Sequence, residues 1–159
     1  MAIYMKFPGA TGNVTAKGHE GWIGLETFDM ETNRSIHTTP GRINDREATR
    51  PHFSEISIIK RIDSASPAFF HAVTVGKAVN DVEIHVCATS NELSPILKYK
   101  LSNVIVSHRG IQILKHIGPM VKLRLNFTAI EETVIPWDSS NQEKSPMTSG
   151  YDLEKAQAL

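Results

Sequence analysis

The sequence is poor in several features that mark large classes of protein. It contains one cysteine, Cys87, so a framework of internal disulfides is excluded. Seventeen basic residues balance seventeen acidic residues, which leaves none of the excess positive charge that nucleic-acid-binding proteins carry. No apolar run approaches the length of a membrane span. We therefore expect no nucleic-acid partner and no insertion into a membrane.

The N-terminal segment and the overall composition narrow the class further. Residues 1–12 lack the apolar stretch of a secretory signal peptide, so we expect synthesis in the cytosol. Aromatic residues make up 7% of the chain, which is little for a surface that stacks bases. The 159 residues fit a single domain. We expect this domain to span 1–135 and a partly ordered tail to span 136–159.

No segment has the spacing of a catalytic or cofactor-binding motif. The pair formed by Gly76 and the following lysine resembles the end of a phosphate-binding loop. However, His71 stands where the first glycine of that motif belongs, and Ala78 where its Ser or Thr belongs. The seven histidines include no pair four residues apart. We expect no enzymatic activity, no cofactor and no metal.

Alternating apolar and polar residues predict that most of the chain is β-structure. Residues 120–130 place valine, leucine and phenylalanine on one face and Lys122 and Arg124 on the other. Residues 96–106 alternate and then change phase, which predicts a bulge near Asn103.

Residues 82–88 show the same alternation, with Glu83, His85 and Cys87 on the polar face. His85 and Cys87 raise the question of a metal site or a thiol–imidazole pair. Two ligands are too few for a zinc site, and a plain sheet face is the more ordinary interpretation.

One short helix interrupts the strands. Ser66 is predicted to cap it, Pro67 to be its first residue, and Gly76 to end it. The helix is too short to be stable alone, so Phe69 and its apolar neighbours need a partner surface. The pattern as a whole predicts a mainly β fold: a compact antiparallel β-barrel with one short α-helix packed against it and a long extended loop.

That long loop runs from residue 31 to 52 and contains only three apolar residues. Loops of this length are uncommon inside a compact domain, and they are usually functional or disordered. We interpret this one as an arm that orders against a neighbouring molecule, with a floppy loop as the alternative.

Three segments together resemble the haemolysin-coregulated protein (Hcp) family, the tube subunits of bacterial type VI secretion systems. They are "GHEGWIGLETFDM" at 18–30, "IIKRIDSASPAFFHAVTVGK" at 58–77 and "GYDL" at 150–153. The resemblance extends from about residue 3 to 153.

The resemblance implies a homo-hexameric ring that stacks with other rings into a hollow tube. A contractile sheath expels the tube with its spike protein, so the subunit is cytoplasmic before firing and then leaves the cell without a signal peptide. The lumen of the tube carries and protects small effector proteins. The long loop corresponds to the family's ring-stacking loop, for which the candidates are Thr38, Arg42, Arg46, Arg50 and Phe53.

The chain departs from the family at residues 110–119, where Ile111 and Ile113 make a usually polar loop apolar. We expect subunit junctions or the lumen wall to use this segment or the outward rows of the strands. The candidates are Glu83, His85, Ile111, Ile113, Lys122 and Arg124.

Two other functions stay open. One is a monomeric ligand-binding β-barrel, and the other is a secreted effector without enzymatic activity. The residues after Pro136 are too few to form a separate enzymatic domain.

Overall fold

The computed structural model describes residues 1–41, 47–89 and 94–159, and the side chains of all of these except residues 47 and 48. Two of the predicted stacking residues, Arg42 and Arg46, lie outside the described residues. The described ranges contain one helix, α1 (Ser66–Val75), between β8 and β9. The strands in chain order are β1 (Ala2–Lys6), β2 (Ile23–Leu25), β3 (Thr27–Asp29), β4 (Thr32–Asn33), β5 (Ile36–His37), β6 (Glu47–Ala48), β7 (His52–Phe53), β8 (Ile56–Arg61), β9 (Val82–Cys87), β10 (Pro95–Ser102), β11 (Ile105–Leu114), β12 (Gly118–Asn126), β13 (Ala129–Val134), β14 (Met147–Asp152) and β15 (Gln157–Ala158).

Antiparallel pairing divides most strands between two sheets. The larger sheet has the order β15-β14-β13-β10-β9-β1-β2, and the smaller has the order β11-β12-β8-β3. The prediction of a mainly β, antiparallel fold with one short helix is confirmed. Within the described ranges the ladders remain divided between these sheets, so the predicted barrel is built from two sheets rather than from one closed ladder.

The core lies between the inward faces of the two sheets. Val121 and Leu123 of β12 are fully buried, and so are Val82 and Ile84 of β9. The faces that alternation predicted for these two strands are therefore the faces that pack inside. Burial of this apolar surface is the main stabilising contribution to the fold, at about 25 cal/mol per Å².

The predicted bulge near Asn103 is wrong. β10 ends at Ser102 in the larger sheet and β11 begins at Ile105 in the smaller sheet, so Asn103 lies in the link between sheets. Its φ is +51°, and its backbone N–H donates to Asn80 Oδ1 at 2.7 Å. The apolar pattern changes phase because the chain turns into a second sheet, where a different set of residues faces the core.

The helix begins one residue earlier than predicted. Its N-cap is Ala65, and Ser66 is its first residue, because the Ser66 hydroxyl contacts Asp63 instead of capping the helix. The predicted end is confirmed, since Gly76 has a φ of +70° and its N–H donates to the Ala72 carbonyl at 2.9 Å. Phe69 is fully buried, as its place in the helix predicts.

The tail contributes two strands to the edge of the larger sheet. β14 pairs with β13, with Tyr151 opposite Ile130, and β15 folds back onto β14. The last residues therefore form strand and turn at the edge of the larger sheet. No helix in the described part of the chain combines the length and apolar character needed to cross a membrane.

Candidate assembly surfaces

Residues 31–41 and 47–53 belong to an arm whose root is held against the body of the domain. β4 pairs with β7, and farther out β5 pairs with β6. At the root, the Ser54 N–H donates to the Glu31 carbonyl at 2.9 Å, and the Glu31 N–H donates to Ser54 Oγ at 2.8 Å. Thr49 binds the Ser35 carbonyl through its N–H, at 3.2 Å, between the two ladders. The predicted loop thus leaves the body as a two-stranded ribbon.

The predicted stacking residues have different positions on this arm. Thr38 and Arg50 are exposed along it, and so is Ile36, which is 57% exposed. Phe53 is partly buried at the root, where its ring centre lies 5.4 Å from that of Tyr151 and 6.3 Å from that of Phe127. Phe53 therefore anchors the arm to the body, while Thr38 and Arg50 are free to meet a partner.

The second surface is the hairpin tip, which we define as residues 111–118, at the end of β11 and the start of β12. Ile113 lies opposite Pro119, and Gly118 closes the turn with a φ of +91°. Ile111, Ile113 and Ile117 are 52%, 73% and 54% exposed. An exposed apolar cluster of this kind indicates a contact surface.

The third surface is a groove of about 670 Å³ beside the arm root. Lys122 and Arg124 of β12 line it, and both are exposed. Asp29, Glu31 and Glu55 also line the groove, and Glu55 accepts a hydrogen bond from Ser107 Oγ. The groove therefore carries both signs of charge, which suits a polar partner more than an apolar one.

Glu83 and His85 lie on the larger sheet, away from the three surfaces above. Glu83 stands between Lys6 of β1 and Lys100 of β10, and Lys100 in turn faces Glu131 of β13. Alternating charges on neighbouring strands favour this pairing. The six junction candidates therefore divide between two sheets, and the fold does not bring them together.

His85 also belongs to a cluster that sequence reasoning missed. Its Nδ1 lies 2.9 Å from Nε2 of His19, and the His19 ring contacts those of Tyr4 and Trp22. Cys87 Sγ lies 3.9 Å from His19 Nε2. His19 precedes β2 in an irregular segment without apolar periodicity. The signal that the sequence offers for its position is therefore its closeness to Trp22, three residues later.

Burial determines the electrostatics of this cluster. It lowers the pKa of His85 to about 4, with smaller contributions from Lys98 and His19, and it also lowers the pKa of His19. Burial raises the pKa of the Cys87 thiol. The imidazoles are thus held neutral and the thiol protonated, which does not favour nucleophilic chemistry. In the described residues no group of three or more His, Cys, Asp or Glu side chains is arranged to hold a metal ion.

The "KRIDSASP" segment forms a structural turn. Lys60 is fully buried, and its Nζ donates to Asp63 Oδ1 at 2.7 Å, to Ser66 Oγ at 3.1 Å and to the Arg61 carbonyl at 2.9 Å. Asp63 Oδ1 also accepts from the Ala65 N–H at 3.0 Å. This network joins the end of β8 to the start of α1.

Comparison with solved structures identifies the fold. A structure described as a type six secretion system protein aligns with a TM-score of 0.94 and 17% identity, over 99% of each chain. Hcp1 from Salmonella typhimurium aligns with a TM-score of 0.81 and 17% identity, over 99% of this chain and 98% of its own. A type VI secretion system effector from Yersinia pestis aligns with a TM-score of 0.75 and 17% identity, over 94% and 98%.

Comparison at the level of sequence identifies the family. A search of curated proteins finds no match to this chain. The model of the family described as "Type VI secretion system effector, Hcp" matches residues 4–134, which run from within β1 to the end of β13 and include the helix. The resemblance drawn from three short segments is confirmed, and the chain belongs to the Hcp family of type VI secretion proteins.

Proposed function

We propose that this protein is a tube subunit that assembles into hexameric rings, and that the rings stack into a hollow tube. Its family and fold support this proposal, because the match spans most of the chain and the topology aligns over its full length. The observation that carries it is the hairpin tip, whose isoleucines are more than half exposed in the single chain. Such a surface is stabilised when a neighbouring copy covers it.

The arm supports the stacking part of the proposal. It projects polar residues such as Thr38 and Arg50 beyond the core, on a ribbon whose root is anchored by Phe53. An element of this kind contributes little to the stability of its own domain, so contact with the next ring is the role that its exposure favours.

The proposed role has consequences for partners and location. The tube is exported when a contractile sheath fires, with the spike protein at its end, and small effectors travel in its lumen. The subunit resides in the cytoplasm before firing and reaches the outside, or a target cell, with the expelled tube. The work of the protein in this role is structural and needs no catalytic group.

The native mass tests this proposal. Light scattering on the gel-filtration peak is expected to give six times the 17.6 kDa of one chain at micromolar concentration. A monomer at every concentration up to hundreds of micromolar would refute the ring and favour a ligand-binding barrel.

A further inference from the structure

The hairpin tip combines apolar and cationic side chains. Ile113 and Ile117 are among its most exposed apolar residues, and Lys115 and His116 occupy the turn between them. A partner surface for this tip needs an apolar hollow with a negative charge at its edge, because an interface core is apolar and its rim is polar. Within the described part of the chain, two surface hollows have mainly apolar walls.

The first hollow, which we name the arm-root pocket, has a volume of about 330 Å³. Met30, Phe53 and Tyr151 supply its apolar walls, and Ser149 of β14 also lines it. Its charged residue is Glu132, which is exposed.

The second hollow, which we name the helix pocket, has a volume of about 360 Å³. It lies between α1 and the segment after β1, with Phe7 and Ala72 in its walls. The residues with titratable or charged groups that line it are His71 and Lys77. A lysine here repels the lysine of the hairpin tip, whereas the carboxylate of Glu132 attracts it. Charge therefore selects the arm-root pocket.

The hairpin tip cannot reach the arm-root pocket of its own chain. The tip ends at Gly118, the first residue of β12, whereas Phe53 in the pocket lies beside Phe127, just after the end of β12. Nine residues of strand separate the two ends, a distance of about 25–30 Å. The tip and the pocket thus lie at opposite ends of the smaller sheet, and only a second copy can bring them together.

We infer that the hairpin tip of one copy inserts into the arm-root pocket of the next copy in the ring. The two surfaces differ, so the contact is heterologous, and a heterologous contact closes into a ring when its rotation permits. Isoleucines fill the pocket and Lys115 meets Glu132 at its edge. This inference rests on the proposed hexameric ring and assigns the residues that close it.

Disulfide trapping tests the inference on the full chain. Ile113→Cys and Ser149→Cys are combined in one variant, oxidised under native conditions and analysed on a denaturing gel without reductant. A disulfide needs Cα atoms about 4.4–6.8 Å apart, so a bond between these positions joins different copies. The matched control combines Ile113→Cys with Thr148→Cys. Thr148 precedes Ser149 on β14, and its hydroxyl contacts Thr133 on the opposite face of the sheet.

The expected result is a ladder of covalent species that ends at six chains, with no ladder from the control. A wild-type hexamer whose cysteine variant gives no ladder would overturn the inference and leave the proposed ring intact. A ladder that continues beyond six chains would also overturn it, because the contact would then join rings. A wild-type monomer would refute the proposed function before any trapping.

A charge test runs in parallel: Lys115→Glu is expected to reduce the hexamer fraction, and Glu132→Lys in the same chain to restore it.

Discussion

At the scale of single residues, Lys60 shows how the chain uses a buried charge. Its side chain has no exposed surface, and the Asp63 carboxyl that pairs with it is 6% exposed. Removing two charges from water costs several kcal/mol, and the network of Asp63, Ser66 and the Arg61 carbonyl offsets that cost. The pair also fixes the turn from β8 into the helix.

Replacing Lys60 with Met is expected to lower the free energy of unfolding by about 3–5 kcal/mol, because the Asp63 charge is left buried without its partner. Arg61→Met is the matched control: the adjacent Arg61 pairs with Glu26 at the surface, where such pairs contribute about 0–1 kcal/mol. Denaturant unfolding of both variants measures the difference. Equal stabilities would contradict the role of the buried pair.

The pair formed by His19 and His85 makes stability depend on pH. In the folded protein the pKa of His85 is about 4, against an ordinary value of 6.5, so between these pH values the unfolded chain binds more protons. The contribution of His85 is therefore fully present above pH 6.5 and is lost as the pH falls towards 4. The loss is at most about 3 kcal/mol, since one pKa unit corresponds to about 1.4 kcal/mol.

The denaturation midpoint is thus expected to fall between pH 7 and pH 4.5, and His85→Gln to flatten that fall. His71→Gln, at an exposed position of α1, serves as the control and is expected to leave the slope unchanged. Identical slopes for wild type and His85→Gln would show that His85 is not held neutral.

The alternation of β9 predicted the outward position of His85 but not its contact with His19. The two histidines are 66 residues apart, and His19 belongs to a segment without strand or helix periodicity. Periodicity identifies faces of regular elements, so it carries no information about an irregular segment that folds over a sheet.

At the scale of elements, the helix is the clearest success of the sequence pattern. Gly76 ends it by adopting a left-handed conformation, and Phe69 faces the core, with its ring centre 4.9 Å from that of Phe7. The start of the helix was predicted one residue too late, because Ser66, which resembles an N-cap in the sequence, accepts a hydrogen bond from Lys60 instead.

Phe69→Ala is expected to lower the free energy of unfolding by about 3–5 kcal/mol through lost burial and the cavity left behind. Phe70→Ala is its control on the same helix, because Phe70 is 56% exposed, and a change below about 1 kcal/mol is expected there. Chemical denaturation at one protein concentration compares them. A small effect at Phe69 would mean that this face does not pack in the core.

The strands divide into those that periodicity predicts and those that it does not. β12 alternates between a buried and an exposed face, and β9 alternates from Val82 to Val86, so their pattern was sufficient to predict the core faces. Cys87, predicted on the polar face of β9, is instead buried. β14, with the sequence "MTSGYD", has no such alternation and forms because it pairs with the edge of β13. The link at Asn103 was misread because a change of sheet and a bulge shift the apolar pattern in the same way.

At the scale of the whole molecule, the account of assembly depends on surfaces that are exposed in a single chain, whereas the core stabilises the chain itself. The hairpin tip, the arm and the mixed-charge groove all lie outside the part of the fold that stabilises a single chain. Contact with other copies in an assembly is therefore our explanation for the exposure of these three surfaces. The sequence alone indicated the arm and the tip by their unusual composition, whereas the arm-root pocket appears only when distant strands meet.

The arm is expected to contribute to stacking through small polar contacts repeated around the ring. Arg50→Glu reverses one charge on each arm, and a change of about 0.5 kcal/mol per arm adds up to about 3 kcal/mol over six copies. Such a sum corresponds to roughly 100-fold weaker stacking, with single rings intact. Lys144→Glu, in the exposed tail, is the control. Sedimentation velocity separates rings from stacks, and parallel loss of both by Arg50→Glu would contradict a role confined to stacking.

Electron microscopy tests the central claim most directly. Negative-stain images of the purified protein, averaged without imposed symmetry, are expected to show a six-fold ring with an open centre. Particles without a central opening, or with the dimensions of one chain, would contradict the account of this protein as a tube subunit.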